Sequence, residues 1–173
     1  MRRLMLLRHA KSDWPGGHDR NRPLSERGRE AASKMGAYMA RHALVPDLVV
    51  ASPATRVNET LDHILPAFKS PPIIRQDERL YESGADTLLG VIKETPKVVH
   101  SLLLVGHNPG VAELASLLIA AGDVEARQQL IAKFPTAALA VIDFPLDDWG
   151  KLHPKAGRLD RFVLPRALDS ETA

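Results

Sequence analysis

The segment LMLLRHAKS, residues 4–12, is the first indication of the fold class. It opens with four consecutive apolar residues, and a short continuous apolar run is typical of a strand that is buried on both faces of a parallel sheet. Similar runs recur at Leu48–Ala51 and Ser101–Val105, with amphipathic helical patterns between them. This alternation predicts an α/β protein, a three-layer sandwich with a mostly parallel central sheet flanked by helices on both faces.

The length and composition bound the class of protein. A chain of 173 residues fits one domain, which we place at residues 1–173 with a loosely ordered tail from about 165 to 173. The absence of cysteine excludes disulfides, thiol nucleophiles and thiolate metal sites. The apolar runs are far shorter than a membrane-spanning helix requires, so we expect a cytoplasmic protein.

Local signals predict where several helices begin. Ser25 is a typical N-cap for a helix that runs to about residue 43. Ser52-Pro53 and Asn108-Pro109 each combine a capping residue with a proline at the first helical position. Two late strands are expected at Ala137–Phe144 and Arg158–Leu164.

The charge is unevenly distributed. Residues 1–41 hold ten Lys and Arg against four Asp and Glu, although the whole chain carries only +2. A basic segment suits nucleic acid, a membrane surface or an anionic small substrate, and it is often only a solvated face. We expect Arg2, Arg3, Arg27 and Arg29 to be surface charge.

The residues that follow the strands point to one kind of ligand. Arg8-His9 follows the first strand, Ser52 and Arg56 follow the second, and Gly106-His107-Asn108 follows the third. Because ligands bind at the carboxyl ends of such strands, these side chains are expected to meet. Guanidinium groups, imidazoles and helix N-termini together suit a phosphate group.

Single residues carry less information than this arrangement. The Arg-His pair recurs as Arg41-His42 at the end of a helix, where we interpret it as surface charge. Taken alone, His9 would be a core histidine, Arg22 a surface residue and Glu82 a solvated loop carboxylate.

Four motifs carry a resemblance to a known family. They are LLRHAKS at 6–12, PLSERG at 23–28, SPATR at 52–56 and GHNP at 106–109. In this order they resemble the histidine phosphatase (phosphoglycerate-mutase-like) superfamily, and most of all its small, SixA-like phosphohistidine phosphatase branch. The superfamily usually has glycine where this chain has Ala10.

The resemblance implies a role for each motif residue. It makes His9 the nucleophile, His107 and Glu82 the other catalytic residues, and the following residues the phosphate-binding set: Arg8, Arg22, Arg56, Ser12 and Asn108. It also implies a metal-independent phosphatase without a cofactor, which forms a phosphohistidine on His9. The attacking ring must be neutral, so a backbone carbonyl should accept the proton of its other nitrogen.

The resemblance leaves the substrate open between a phosphorylated small molecule and a phosphohistidine-bearing protein. We expect no nucleic acid and no membrane as partners, and a monomer or weak dimer. Three alternatives remain: a non-catalytic phosphate-binding module, a mutase of the same superfamily, and a metal site built from His9 and His107 with Asp13 or Glu82. The positive charge of Arg8 beside His9 would repel a cation, which argues against the metal site.

Overall fold

The central element is a single seven-stranded sheet, as seen in a computed structural model that describes residues 1–169. The strands are β1 (Arg2–Arg8), β2 (Leu48–Ala51), β3 (Ile73–Gln76), β4 (Ser101–Gly106), β5 (Ile119–Gly122), β6 (Leu139–Phe144) and β7 (Gly157–Val163). Their order across the sheet is β3-β2-β4-β1-β6-β7-β5. In the part of the chain that the structure describes, β6 pairs antiparallel with its two neighbours, and the other four strand pairs are parallel. The prediction of a mostly parallel sheet is confirmed.

Within the described residues, five α-helices cover the two faces of this sheet. They are α1 (Glu26–Arg41), α2 (Thr55–Ile64), α3 (Ala85–Lys93), α4 (Gly110–Leu118) and α5 (Val124–Ala132). Apolar residues of α1 and α2 pack on one face, and those of α3, α4 and α5 pack on the other. Two separate cores therefore hold the sheet between helices, which is the predicted three-layer arrangement.

The sequence signals for helix starts gave mixed results. Ser25 caps α1 as predicted, because its hydroxyl accepts a hydrogen bond from the Gly28 amide at 3.1 Å. The predicted cap at Ser52 is wrong, since α2 begins only at Thr55 with Ala54 at the cap position. Ser52 is instead fully buried at the end of β2, where its hydroxyl meets a histidine.

Two further segments differ from the expectation. The short edge strand β5 directly follows α4, at a point that no turn signal in the sequence marks. Residues 165–169 of the predicted loose tail form a 3-10 helix, because Leu168 is 2% exposed and packs into the core with α1. Residues 170–173 of that tail lie outside the described residues.

Within residues 1–169, no helix combines the length and the apolar character that crossing a membrane requires.

Candidate active site

Three adjacent strands end side by side at one edge of the sheet. Arg8 at the end of β1 pairs with Gly106 at the end of β4, and Ala51 at the end of β2 pairs with Val105. The next residue along each strand is therefore His9, His107 or Ser52. The rings of His9 and His107 lie with their centroids 5.3 Å apart, so the predicted meeting of these side chains occurs.

His9 is held in one tautomer. Its Nδ1 lies 2.7 Å from the backbone carbonyl of Ala10, which can only accept a hydrogen bond. Nδ1 therefore carries the ring proton, and Nε2 keeps a lone pair. The carbonyl acceptor that a neutral nucleophile requires is present.

The environment of His9 keeps its ring uncharged. Burial lowers the pKa of His9 to about 3, and the nearby His107, Arg56 and Arg8 add to the shift. Only 8% of the residue is exposed. Desolvation is thus the main cause, with the surrounding cations as a smaller one. At neutral pH the Nε2 lone pair is available for attack on an electrophile.

Arg56 connects the two buried histidines to the rest of the site. One Nη donates to Nδ1 of His107 at 3.2 Å, and Nε2 of His107 lies 2.8 Å from the hydroxyl of Ser52. A guanidinium can only donate, so Nδ1 accepts and Nε2 carries the proton. Burial first, and then the Arg56 charge, lower the pKa of His107 to about 4. His107 is therefore a neutral ring that accepts a hydrogen bond from Arg56.

A threonine that the sequence analysis did not consider joins the loop after β1 to helix α2. Thr60 is fully buried, and its hydroxyl donates to the carbonyl of Arg56 at 2.7 Å. The same oxygen accepts from the Ala10 amide at 3.0 Å. Thr60 thereby fixes the backbone beside His9 relative to the helical turn that carries Arg56.

Arg8 is held by a different part of the chain. One Nη donates to the Phe134 carbonyl at 3.1 Å, and the Asn108 amide donates to the same carbonyl at 2.8 Å. Burial, and then the charge of Arg56, lower the pKa of Arg8. Its buried Nε has no hydrogen-bond partner within residues 1–169. Arg8 therefore keeps a buried donor that no residue of the described chain satisfies.

The exposed side of the site comes from the loop before α1. Arg22 donates to the Ser12 hydroxyl at 2.9 Å, and its guanidinium lies 4.7 Å from the centre of the Trp14 ring. This loop approaches α1 very closely. A Cβ on Gly28 would lie 2.0 Å from the carbonyl oxygen of Lys11, so only glycine fits there.

An aspartate in the same loop was missed. Asp19 accepts from Arg22 at 3.1 Å through Oδ1, and from Arg56 at 3.1 Å and the Tyr81 hydroxyl at 2.5 Å through Oδ2. The hydrogen bond from Tyr81, followed by those from the two arginines, holds the pKa of Asp19 well below its usual range. The position of Asp19 three residues before Arg22 was the only signal, and it is too weak to identify the residue.

Glu82 occupies an unusual backbone position. Its φ of 52° lies in the left-handed region, which costs about 1–3 kcal/mol for a residue other than glycine. The next residue, Ser83, is pressed against the start of α4, because a Cβ on Gly110 would meet the Ser83 carbonyl at 2.1 Å. No hydrogen bond or ion pair to another residue of the described chain holds the exposed carboxylate of Glu82.

All the predicted site residues line one cavity of about 360 Å³. Its walls are Arg8, His9, Lys11, Ser12, Asp19, Arg22, Arg56, Glu82, His107, Asn108 and Thr136. Lys11, Asp19 and Thr136 were not predicted as site residues. Three guanidinium groups around a neutral imidazole form a site for an anion with several oxygens, such as phosphate. No cluster of three metal-ligating side chains occurs within residues 1–169.

Comparisons with known proteins agree with this chemistry. The family model of the histidine phosphatase superfamily (branch 1) matches residues 4–101, more than half of the chain. The uncharacterized protein Rv1276c of Mycobacterium tuberculosis is 34% identical over 163 residues, covering 92% of this chain and all of the relative.

Solved structures give the same result. A protein of Agrobacterium tumefaciens, assigned provisionally as the phosphohistidine phosphatase SixA, is 31% identical with a TM-score of 0.80, covering 95% of this chain and 98% of that one. The protein histidine phosphatase SixA complexed with tungstate shares the fold at 21% identity and a TM-score of 0.73, with 96% and 99% covered. The chain therefore belongs to branch 1 of the histidine phosphatase superfamily, in its SixA-like group.

Proposed function

We propose that this protein is a metal-independent phosphatase that hydrolyses a phosphohistidine or a phosphomonoester through a phosphohistidine intermediate on His9. The observation that carries the proposal is the hydrogen bond from His9 Nδ1 to the Ala10 carbonyl. This bond leaves Nε2 unprotonated in a cavity lined by three arginines.

In the first step, the Nε2 lone pair of His9 attacks the phosphorus atom in line with the leaving group. A P–N bond forms to His9, while the bond from phosphorus to the leaving oxygen or nitrogen breaks. Arg8, Arg22 and Arg56 stabilise the charge on the equatorial oxygens, which is the task of a metal ion in many other phosphoryl-transfer enzymes.

Glu82 is the general acid of the proposal. Its carboxyl group gives a proton to the leaving group and then takes one from the water that attacks the phosphohistidine. The second step breaks the P–N bond, releases inorganic phosphate and restores the neutral His9. His107 stays neutral above about pH 4 and orients Arg56. Ser12 and Asn108 complete the phosphate-binding wall, with Ser12 fixing Arg22 and Asn108 fixing the carbonyl that holds Arg8.

Two features support the choice of substrate. The cavity is small and polar, and Arg22, Lys11 and Glu82 at its mouth are at least partly exposed, which suits a phosphoryl group presented at the surface of a larger molecule. The likeness to the Agrobacterium protein, at 31% identity, favours phosphohistidine on a protein over a small ester.

The test is a substrate panel with trapping of the intermediate. Phosphate release is measured from a phosphohistidine-bearing protein, a phosphosugar and p-nitrophenyl phosphate, with and without EDTA. The reaction is quenched at alkaline pH, where a phosphoramidate survives, and the phosphorylated residue is mapped. We expect label on His9, full activity in EDTA and no activity in His9→Ala. His42→Ala, which alters the other Arg-His pair, is the matched control and should behave as wild type.

The panel also decides between the alternatives. Phosphate binding without labelling of His9 would indicate a binding module. Transfer of the label to an acceptor hydroxyl in preference to water would indicate a mutase. Loss of activity in EDTA would contradict the metal-independent mechanism.

A further inference from the structure

The negatively charged side chain of Asp19 lies among the arginines of this site. Asp19 contacts both Arg22 and Arg56, and its carbonyl also accepts from Arg56 at 2.8 Å. The side chain of Arg56 is only 5% exposed, so this is not a loose surface pair. Tyr81 adds a third donor to the same carboxylate.

These contacts fix where the two arginines lie. The Nη groups of Arg56 bind the Asp19 carboxylate, the Asp19 carbonyl and His107. Arg22 is held by Asp19 on one side and by Ser12 on the other. Because both guanidinium groups are ordered before a ligand arrives, less entropy is lost when phosphate binds.

The same carboxylate changes the charge of the cavity. The lining includes four cations, Arg8, Lys11, Arg22 and Arg56, but only two acidic residues, Asp19 and Glu82. A phosphate group carries about −1.5 to −2 near neutral pH. With Asp19 and Glu82 both ionised, the fixed charge of the lining is close to the opposite of one phosphate group. Whatever the proton on Glu82, loss of the Asp19 charge would make the lining bind phosphate more strongly.

We propose that Asp19 is a positioning residue that orders Arg22 and Arg56 and, through its negative charge, limits how tightly the site retains the phosphate product. This inference rests on the proposed function, because it assigns phosphate as the product of this cavity. A purely structural role predicts weaker phosphate binding when Asp19 is altered. If the negative charge of Asp19 limits phosphate retention, its removal predicts tighter phosphate binding.

The decisive variant is Asp19→Asn, which removes the charge and keeps an oxygen acceptor of similar size. Loss of one negative charge beside a phosphate dianion in a partly desolvated site is expected to lower the Kd of inorganic phosphate about tenfold. Asp19→Ser removes the same charge with a smaller side chain and should act in the same direction. Both variants should also show a lower kcat, because phosphate leaves more slowly.

Two matched variants separate charge from contact. Asp62→Asn makes the same change of charge at an exposed residue of α2, the helix that carries Arg56, and should leave the Kd within twofold. Tyr81→Phe removes a hydrogen bond to Asp19 without changing the charge, and should not tighten binding.

The measurement is the Kd of inorganic phosphate by calorimetry at low ionic strength, with its inhibition constant against p-nitrophenyl phosphate as a second readout. Tighter binding in both Asp19 variants, with Asp62→Asn unchanged, supports the proposal. Unchanged or weaker binding in a folded Asp19 variant overturns it, as does a wild-type chain that binds no phosphate. Because this binding needs no turnover, a wild type that binds phosphate but hydrolyses nothing would refute only the proposed function.

Discussion

The two walls of the cavity are built in opposite ways. The inner wall consists of His9, Arg56 and His107, which are 4–8% exposed. These residues lie directly after strand ends or in the first turn of α2. The outer wall, Ser12, Arg22 and Glu82, comes from loops and is half-buried or exposed. The residues of the inner wall are thus fixed by the core, whereas the loop residues of the outer wall can change without altering the fold.

This difference has an electrostatic consequence. Interactions are stronger where water is excluded, so a charge on the inner wall acts on the phosphoryl group more strongly than one on the outer wall. The inner wall should therefore control the rate for every substrate. The outer wall should control which substrates are accepted.

The strongest test of the difference between the walls replaces one arginine by lysine on each wall. Arg56→Lys should lower kcat/KM by about 10²–10³-fold, because a lysine cannot contact phosphate, Asp19 and His107 together. Arg22→Lys should cost only about tenfold, since the exposed ammonium is partly screened by water. Steady-state kinetics with p-nitrophenyl phosphate measure both, and equal losses would refute the distinction between the walls.

A second test asks whether Glu82 acts on the leaving group. Glu82→Gln should slow the hydrolysis of an alkyl phosphate by about 10²-fold, because the departing alkoxide then lacks a proton donor. p-Nitrophenolate leaves without help, so its ester should lose less than tenfold. The ratio of the two kcat/KM values is the measurement. An equal loss with both esters would remove Glu82 as the acid.

The buried imidazoles also predict how stability depends on pH. The pKa of His9 is about 3 in the folded protein, against about 6.5 for an unperturbed histidine. Below pH 6.5 the unfolded chain takes up a proton that the folded protein refuses, so stability is lost as the pH falls towards 3. Between pH 6.5 and 4.5 this loss is on the order of 2 kcal/mol for His9 alone.

Urea unfolding at both pH values measures this effect. His9→Gln should reduce the loss of unfolding free energy by about 2 kcal/mol, and His107→Gln, whose histidine has a pKa of about 4, should reduce it somewhat less. Identical losses in wild type and both variants would show that these rings are not held neutral by burial.

The inner wall could be predicted from the sequence because its signals are local. Buried strands read as continuous apolar runs, and the next residue must lie at the carboxyl edge of the sheet, as Arg8-His9 and His107 do. Ser52 shows the limit of such reasoning. Its position before a proline indicated a helix cap, but the adjacent β4 end brings His107 to its hydroxyl.

The outer wall depends on loop geometry that no periodicity describes. Arg22 and Glu82 were identified through the resemblance. Asp19 and Thr60 were missed because each makes contacts distant in sequence: Asp19 with Arg56 and Tyr81, 37 and 62 residues away, and Thr60 with Ala10, 50 residues away. Arg2 was expected on the surface. It is buried instead, where it donates to the carbonyls of Lys97 and Asp147.

The smallest expected effect concerns the strained backbone of Glu82 in the outer wall. Glu82→Gly should raise the free energy of unfolding by about 0.5–1 kcal/mol, because glycine adopts the left-handed backbone without steric cost but loses more entropy on folding. Asp86→Gly, in the first turn of α3, is the matched control and should lower stability by about 1 kcal/mol. Urea unfolding at neutral pH measures both. A stabilised but poorly active Glu82→Gly would show that the loop accepts strain to aim a carboxylate at the cavity, whereas a destabilised variant would mean that this backbone conformation costs nothing.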